Sequence, residues 1–329
     1  MIRRLIVIFV GLVLPITTAW VLVTQPGIQC GGNKPAPVTV DPARLEAHVR
    51  MLSEKLPPRD WSHPANLDKA AEYIHDELYK AGGAVSYQPY KADGKDYRNV
   101  IASFGPDTKG RIVVGANYDA AEGTPGADDN ASGVAGLIEL AYILGKTPPH
   151  MRVDLVAYSL EEPPYFGTPD MGSAIHAQSL RKQEVPVRLM VSLEMLGYYS
   201  DEPGSQDYPA LLLKMFYPSR GNFILVVGKF GQGEAIRDVK KAMQSASAVP
   251  VFSIRAPLVV PGIDFSDHRN YWEAGYDAVM VTDTSFYRNK QYHARKDTAD
   301  ALDYVRMAQV VQGVYAVIAE TAGAKPSGE

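Results

Sequence analysis

The strongest constraint in this sequence is an alternation. Short runs of Val, Ile, Leu and Ala are separated by stretches of helical periodicity, and polar, acid-bearing segments follow several of the runs. Residues 99–104, 111–116, 152–159, 189–193, 223–227 and 278–281 read as strands, being short, apolar and rich in β-branched side chains. Between them, Leu67, Ala70, Ala71, Ile74, Leu78 and Ala81 follow the i, i+3, i+4, i+7 spacing of one helix face, and Gly82-Gly83 is the stop. Residues 131–144 read as a second helix, and Ala301, Val305, Ala308, Val311, Tyr315 and Ile318 mark a third. Apolar strands alternating with helices predict an α/β fold: a mostly parallel central sheet covered by helices on both faces. There is no internal repeat and no second composition boundary. The expectation is therefore one domain over 41–323, with 324–329 as a tail.

The N-terminus reads differently. Arg3 and Arg4 precede Leu5 to Val23, 19 residues that are apolar apart from Pro15, Thr17 and Thr18. That length matches the ~17–25 residues that cross a bilayer as a helix, whereas a cleaved signal core is roughly 7–15. A weak cleavage site, Thr17-Thr18-Ala19, leaves the second reading open. Gly27-Ile28-Gln29-Cys30 is a poor lipoprotein box. Positive charge keeps Arg3 and Arg4 cytoplasmic, so 1–30 is expected to be a signal anchor or signal peptide that places the body outside the cytoplasm. Gly and Pro in 31–40 make that stretch a tether.

Composition removes several function classes. Apolar residues at 46% and charged residues at 21% exclude a disordered, collagenous or coiled-coil chain. A single cysteine, Cys30, excludes an intramolecular disulfide framework and a multi-cysteine zinc site. Beyond residue 30 the chain carries 31 Lys+Arg against 37 Asp+Glu, a mildly acidic body with no electrostatic case for nucleic acid as a partner.

In sheets of this kind, sites gather beyond the carboxyl ends of the strands. Four such segments stand out. Asn117-Tyr118-Asp119 leads to Pro125-Gly126-Ala127-Asp128-Asp129-Asn130-Ala131-Ser132-Gly133; Glu161-Glu162-Pro163-Pro164 follows the next strand; Glu194 leads into Met195-Leu196-Gly197-Tyr198; Ser266-Asp267-His268 and Tyr292-His293 come last. Singly, each has an ordinary explanation: a helix cap, solvated surface acids, a structural histidine. Histidines 48, 63, 75, 150 and 176 keep only that explanation. Convergence on one sheet edge lifts the others, because clustered Asp, Glu and His supply the oxygen and nitrogen donors that zinc accepts in an open catalytic site.

These strings, together with Gly115-Ala116 ahead of Asn117, resemble the co-catalytic zinc aminopeptidases over roughly 41–323. That family includes secreted bacterial leucine aminopeptidases and shares its fold with glutaminyl cyclases. The resemblance implies a peptide substrate and one or two zinc ions. It implies that Asp128 bridges two metals, with Asp128–Asp129 as a cis peptide, and that Glu162 and His293 complete one zinc site with Asp128. Glu194 joins Asp128 on the other metal. Glu161 is then the general base, Asp119 orients residue 117, and Tyr292 donates to the oxyanion. Asn117 stands where the family carries its first histidine ligand, and a carboxamide is a weaker zinc ligand than imidazole. Three outcomes stay open: one tight zinc, a harder oxygen-preferring metal beside zinc, or binding without turnover. Glutaminyl cyclase chemistry is the alternative enzyme, although Tyr292 stands where cyclases carry Trp. Tyr198, Asp267 and His268 are candidate substrate contacts, and Asp267 and His268 could instead cap the helix carrying Trp272. The Ser-, Asp-, Gly- and Pro-rich stretch 199–209 is a surface loop or a mobile rim.

Overall fold

The computed structural model describes residues 18, 20–24 and 38–323. The elements run α1 (Pro42–Arg50), α2 (Pro64–Lys80), β1 (Ala84–Ala92), β2 (Lys95–Phe104), β3 (Arg111–Asn117), α3 (Gly133–Lys146), β4 (Arg152–Tyr158), α4 (Gly172–Lys182), β5 (Val187–Glu194), β6 (Ile224–Lys229), α5 (Gly233–Ala246), β7 (Val251–Ala256), α6 (His268–Glu273), β8 (Ala278–Thr282) and α7 (Tyr304–Gly323). Short 3₁₀ and π turns connect some of them. The eight strands form one sheet in the order β1-β2-β4-β3-β5-β8-β6-β7.

The sheet is mixed rather than mostly parallel. β3 pairs in parallel with β4 and β5, β5 with β8, and β6 with β7, while β1–β2, β2–β4 and β6–β8 are antiparallel. The sequence reading missed β1 and β7, which are the two edges. β1 reads Ala-Val-Ser-Tyr-Gln-Pro-Tyr-Lys-Ala, with a proline and alternating exposure, the pattern of a strand bonded on one side only. The four central strands β4-β3-β5-β8 are mutually parallel, so their carboxyl ends share one side of the sheet.

Successive strand side chains point to opposite faces, and the core divides accordingly. Ile112 and Val114 of β3 join the cluster built with Leu67, Ile74, Val134, Ile138 and Val311, under α2, α3 and α7. Val113 of the same strand joins Met190, Ala177, Leu180 and Tyr271, under α4 and α6. Helices therefore cover both faces, as expected. α1 opens with Pro42 after an Asp41 side chain that accepts from Ala43 N at 2.9 Å, a standard cap for otherwise unpaired amides.

Residues 18 and 20–24 are helical and lie against β7. Among the described residues, no helix is long and apolar enough to cross a membrane. Residues 1–17, 19, 25–37 and 324–329, which hold most of the expected anchor, much of the tether and the tail, lie outside the described residues.

Candidate active site

The parallel registers decide which side chains meet. Asn117 pairs with Tyr158 across β3 and β4, and Glu194 pairs with Thr282 across β5 and β8. The segments that leave these strands, Glu161-Glu162 after β4 and Asp283-Thr284 after β8, emerge beside them. Leu160, Met195, Thr284, Ser285 and His293 all have positive φ. Non-glycine residues in this left-handed region are uncommon and collect at functional sites.

Asp129, Glu162 and His293 each offer one ligand atom, and these atoms lie within 4.8 Å of one another. His293 Nε2 is 3.0 Å from Glu162 Oε2 and 3.2 Å from Asp129 Oδ2. Asp129 Oδ2 and Glu162 Oε1 are buried with no hydrogen-bond partner. Orphaned buried carboxylate oxygens beside an imidazole are what a cation would satisfy, so the donor set fits zinc. Burial and then Asp129 push Glu162 up to about 8. His293 rises to about 10: burial opposes its charge, but Asp129 and Glu162 outweigh it. Two carboxyl groups thus share one imidazole partner.

One expectation is corrected. The aspartate of the Asp-Asp-Asn string that joins Glu162 and His293 is Asp129, not Asp128, and the cis peptide is Asp129–Asn130 rather than Asp128–Asp129. The Asp128 carboxylate turns the other way. Its Oδ1 accepts from Gly197 N at 3.0 Å and its Oδ2 from Asn289 Nδ2 at 2.8 Å. Burial first, and then the nearby Asp283 carboxylate, raise it well above the ordinary range.

The remaining sequence candidates fall into place as follows. Glu161, Glu194 and Tyr292 line the same cavity as Asp129, Glu162 and His293. The Tyr292 ring stacks on His293 at 3.8 Å. Burial, then the Glu194 charge, hold Glu161 well above the ordinary carboxylate range. Glu194 Oε2 accepts from Ser266 Oγ at 2.7 Å. Asp119 holds the acid pair by its backbone: its two oxygens accept from Glu161 N at 3.1 Å and Glu162 N at 3.0 Å. Its approach to Asn117 Nδ2 is longer, 3.5 Å. Asn117 is fully buried, and its Oδ1 accepts from Asn130 Nδ2 at 2.6 Å, so its one good ligand atom is engaged elsewhere.

The three candidate substrate contacts do not reach the cavity lining. Asp267 is buried, both its oxygens lack hydrogen bonds, and burial raises it to about 8. His268 Nε2 donates to Ile263 O at 2.8 Å and its ring sits edge-on to Trp272, so it closes a loop. Tyr198 takes part through its backbone, its N–H donating to Asp283 Oδ2 and its carbonyl accepting from Arg288 Nη1.

Sequence reasoning also missed the supports. Asp297 Oδ1 and Oδ2 accept from Asp128 N and Asp129 N. Arg59, fully buried, donates to the carbonyls of Leu52, Tyr118, Pro125 and Gly126, gathering the loop that carries Asp129. Gly126 has φ +60, and a Cβ there would meet Asp129 O at 2.4 Å, so the loop's close approach requires glycine. Neither Arg59 nor Asp297 carries a local signal, because each acts on backbone distant in sequence.

From the acids the cavity, about 250 Å³, extends along an apolar wall of Tyr217, Leu225, Val227, Ile254 and Met280. Polar chemistry at one end and an apolar bay beside it are the usual makings of a small-ligand site.

Residues 99–318 match the family described as peptidase family M28. The chain is 48% identical over 290 residues to YfbL, an uncharacterised protein of Escherichia coli, covering 86% of this chain and 89% of YfbL. It is 24% identical to leucine aminopeptidase 1 of Metarhizium robertsii over 82% of this chain and 67% of that protein. In fold it is similar to a zinc aminopeptidase from Bacillus subtilis (TM-score 0.67, 16% identity, 88% of this chain and 97% of that one). A glutaminyl cyclase from Bacteroides thetaiotaomicron is similar too (TM-score 0.65, 20% identity, 88% and 100%). The ordered acids, their meeting at one sheet edge and the matched span lead to one conclusion: the chain belongs to peptidase family M28.

Proposed function

We propose that this chain is a zinc-dependent aminopeptidase that removes N-terminal residues from peptides outside the cytoplasm, held at the membrane by residues 5–23. The observation that carries the reading is the Asp129, Glu162 and His293 group, set beside Glu161 and Glu194 at one end of an apolar bay. Asp129, Glu162 and His293 would hold the zinc. When bound, zinc supplies a Lewis acid that polarises a peptide carbonyl and acidifies water.

The chain's own residues do the rest. Glu161 takes the proton of the attacking water and returns it to the leaving amine, a task suited to a carboxyl group whose burial and neighbours raise its proton affinity. Glu194 lines the cavity without joining the three-ligand group, leaving a carboxylate to pair with a free α-ammonium group. That pairing selects chain ends over internal bonds. Tyr292, held protonated by burial, offers its hydroxyl to the developing oxyanion. With Asn117 bonded to Asn130, a single tight zinc is the reading we favour.

The test is hydrolysis of an aminoacyl-anilide and dipeptide panel by the zinc-loaded chain beside Glu161→Gln. Turnover that vanishes in the variant supports the reading; peptide binding with no turnover in either points to a binding protein. A cyclase-like acyl transfer is the second reading. It is favoured by there being one three-ligand group among the described residues. An N-terminal glutamine peptide in the same panel decides it by releasing ammonia without chain cleavage.

A further inference from the structure

The chain's N-terminal described residues end on the β7 edge of the sheet. Thr24 O accepts from Ser253 Oγ at 2.5 Å and from Lys240 Nζ at 3.2 Å, and Leu22 O accepts from Arg255 Nε at 3.0 Å. Ser253 and Arg255 both lie on β7. Large apolar side chains stand exposed around this anchorage: Leu211 (81%), Leu212 and Met215 on one short turn, Val259 (85%) and Leu258 after β7, and Phe230 after β6.

These residues belong to one surface. The Arg255 guanidinium that holds Leu22 lies 5.5 Å over the Phe230 ring. Tyr217 Oη donates to the carbonyl of Ser253, whose hydroxyl holds Thr24. Leu213 and Val260, the chain neighbours of Leu212 and Val259, line the active-site cavity together. Trp20, Val21 and Leu22 continue the exposed apolar area.

Charge on this surface is one-sided. Segments 208–217, 229–232 and 254–263 hold Lys214, Lys229 and Arg255 and no acid, in a chain of net charge −4. Two of the acids that bracket them have cations at hand, Asp207 pairing with Lys290 at 2.7 Å and Asp264 lying 3.7 Å from Arg269, while Glu234 follows the second segment. The apolar stretch 5–23 therefore finishes beside exposed apolar side chains that carry Lys214, Lys229 and Arg255 among them. Monomeric proteins rarely expose such a patch without a partner, and apolar side chains among Lys and Arg are the composition that beds into an anionic lipid interface.

We propose that this face rests on the bilayer surface, with Leu211, Leu212, Met215, Leu258 and Val259 seated in the headgroup layer and the cavity mouth beside them. This rests on the reading of 5–23 as an uncleaved anchor. The active site then opens at the level of the membrane, where it takes peptides whose apolar N-termini are held in the lipid.

The test uses the full-length chain carrying Cys30→Ser in vesicles of phosphatidylethanolamine and phosphatidylglycerol. Single cysteines introduced as Leu212→Cys, Val259→Cys and, on exposed α2 near the opposite sheet edge, Glu72→Cys are labelled with an environment-sensitive fluorophore. An alkaline wash is applied first, and release of the chain there removes the anchor reading and this proposal with it. With the chain retained, brominated lipids are expected to quench the labels at 212 and 259 several-fold more than the label at 72. Equal quenching at all three overturns the membrane face while leaving the anchor standing. Efficient cross-linking between Leu212→Cys copies, without lipid quenching, overturns it in favour of a second copy. Leu212→Glu/Val259→Glu is expected to keep its rate on a soluble aminoacyl-anilide and to lose about tenfold on a vesicle-held peptide with an apolar N-terminus. Equal effects on the two substrates count against the proposal.

Discussion

The Asp297 carboxylate accepts the backbone N–H of Asp129 at 3.1 Å across 168 positions of sequence, and that of Asp128 at 2.9 Å. A residue from the C-terminal quarter of the chain thereby fixes the direction in which the Asp129 side chain points. Without it, two buried amides lose their partner, at about 1–3 kcal/mol each. Asp297→Ala is expected to lower both stability and zinc content, read by denaturant titration and metal analysis. A variant with full zinc content would remove Asp297 as the support of the ligand.

Adjacent acids should fail in different ways. Glu161→Gln is expected to keep its zinc and to lose roughly 10²–10⁴-fold in kcat. Glu162→Ala is expected to lose the metal itself. Metal analysis beside steady-state kinetics separates the two, and zinc loss in Glu161→Gln would reverse the assigned roles.

Asn117 offers a gain-of-function test. Replacing it with histidine exchanges a carboxamide bonded to Asn130 for an imidazole at the end of β3, the strand next to β5, which ends on Glu194. The expected outcome is a second equivalent of zinc, measured on the purified Asn117→His chain. Unchanged stoichiometry would place Glu194 outside any second metal site.

A pH dependence follows from two buried histidines away from the three ligands. His176 Nδ1 is hydrogen-bonded to Tyr271 Oη at 2.5 Å, and burial lowers both His176 and His268 to about 4. The unfolded chain, whose histidines titrate near 6.5, binds more protons than the folded one between about 4 and 6.5. Stability from these groups is therefore complete above about 6.5 and is lost as pH falls toward about 4. Denaturant titrations in excess chelator should show that fall, and His176→Asn should show a shallower one. An unchanged slope would mean that His176 is not held neutral.

Much of the architecture was legible because it depends on local chemistry. The Leu67, Ala70, Ala71, Ile74 stripe, the central strands and the last helix follow from apolar periodicity, and each was placed to within a few residues. The edge strands β1 and β7 escaped, since a strand bonded on one side needs no continuous apolar run. The four acid-bearing strand ends could be read as one site because the central strands run parallel.

Which aspartate serves that site was not legible. Asp128 and Asp129 are the same residue type side by side, and no local preference tells them apart. Gly197 and Asn289 claim the first, while Glu162 and His293 face the second. Arg59 and Asp297 were invisible for the same reason. Sequence by itself determined the alternation, the family pattern and the residue types available for chemistry, all set by neighbours along the chain. Tertiary structure alone decided which carboxylate points into the cavity, because that choice belongs to hydrogen bonds between residues far apart in sequence.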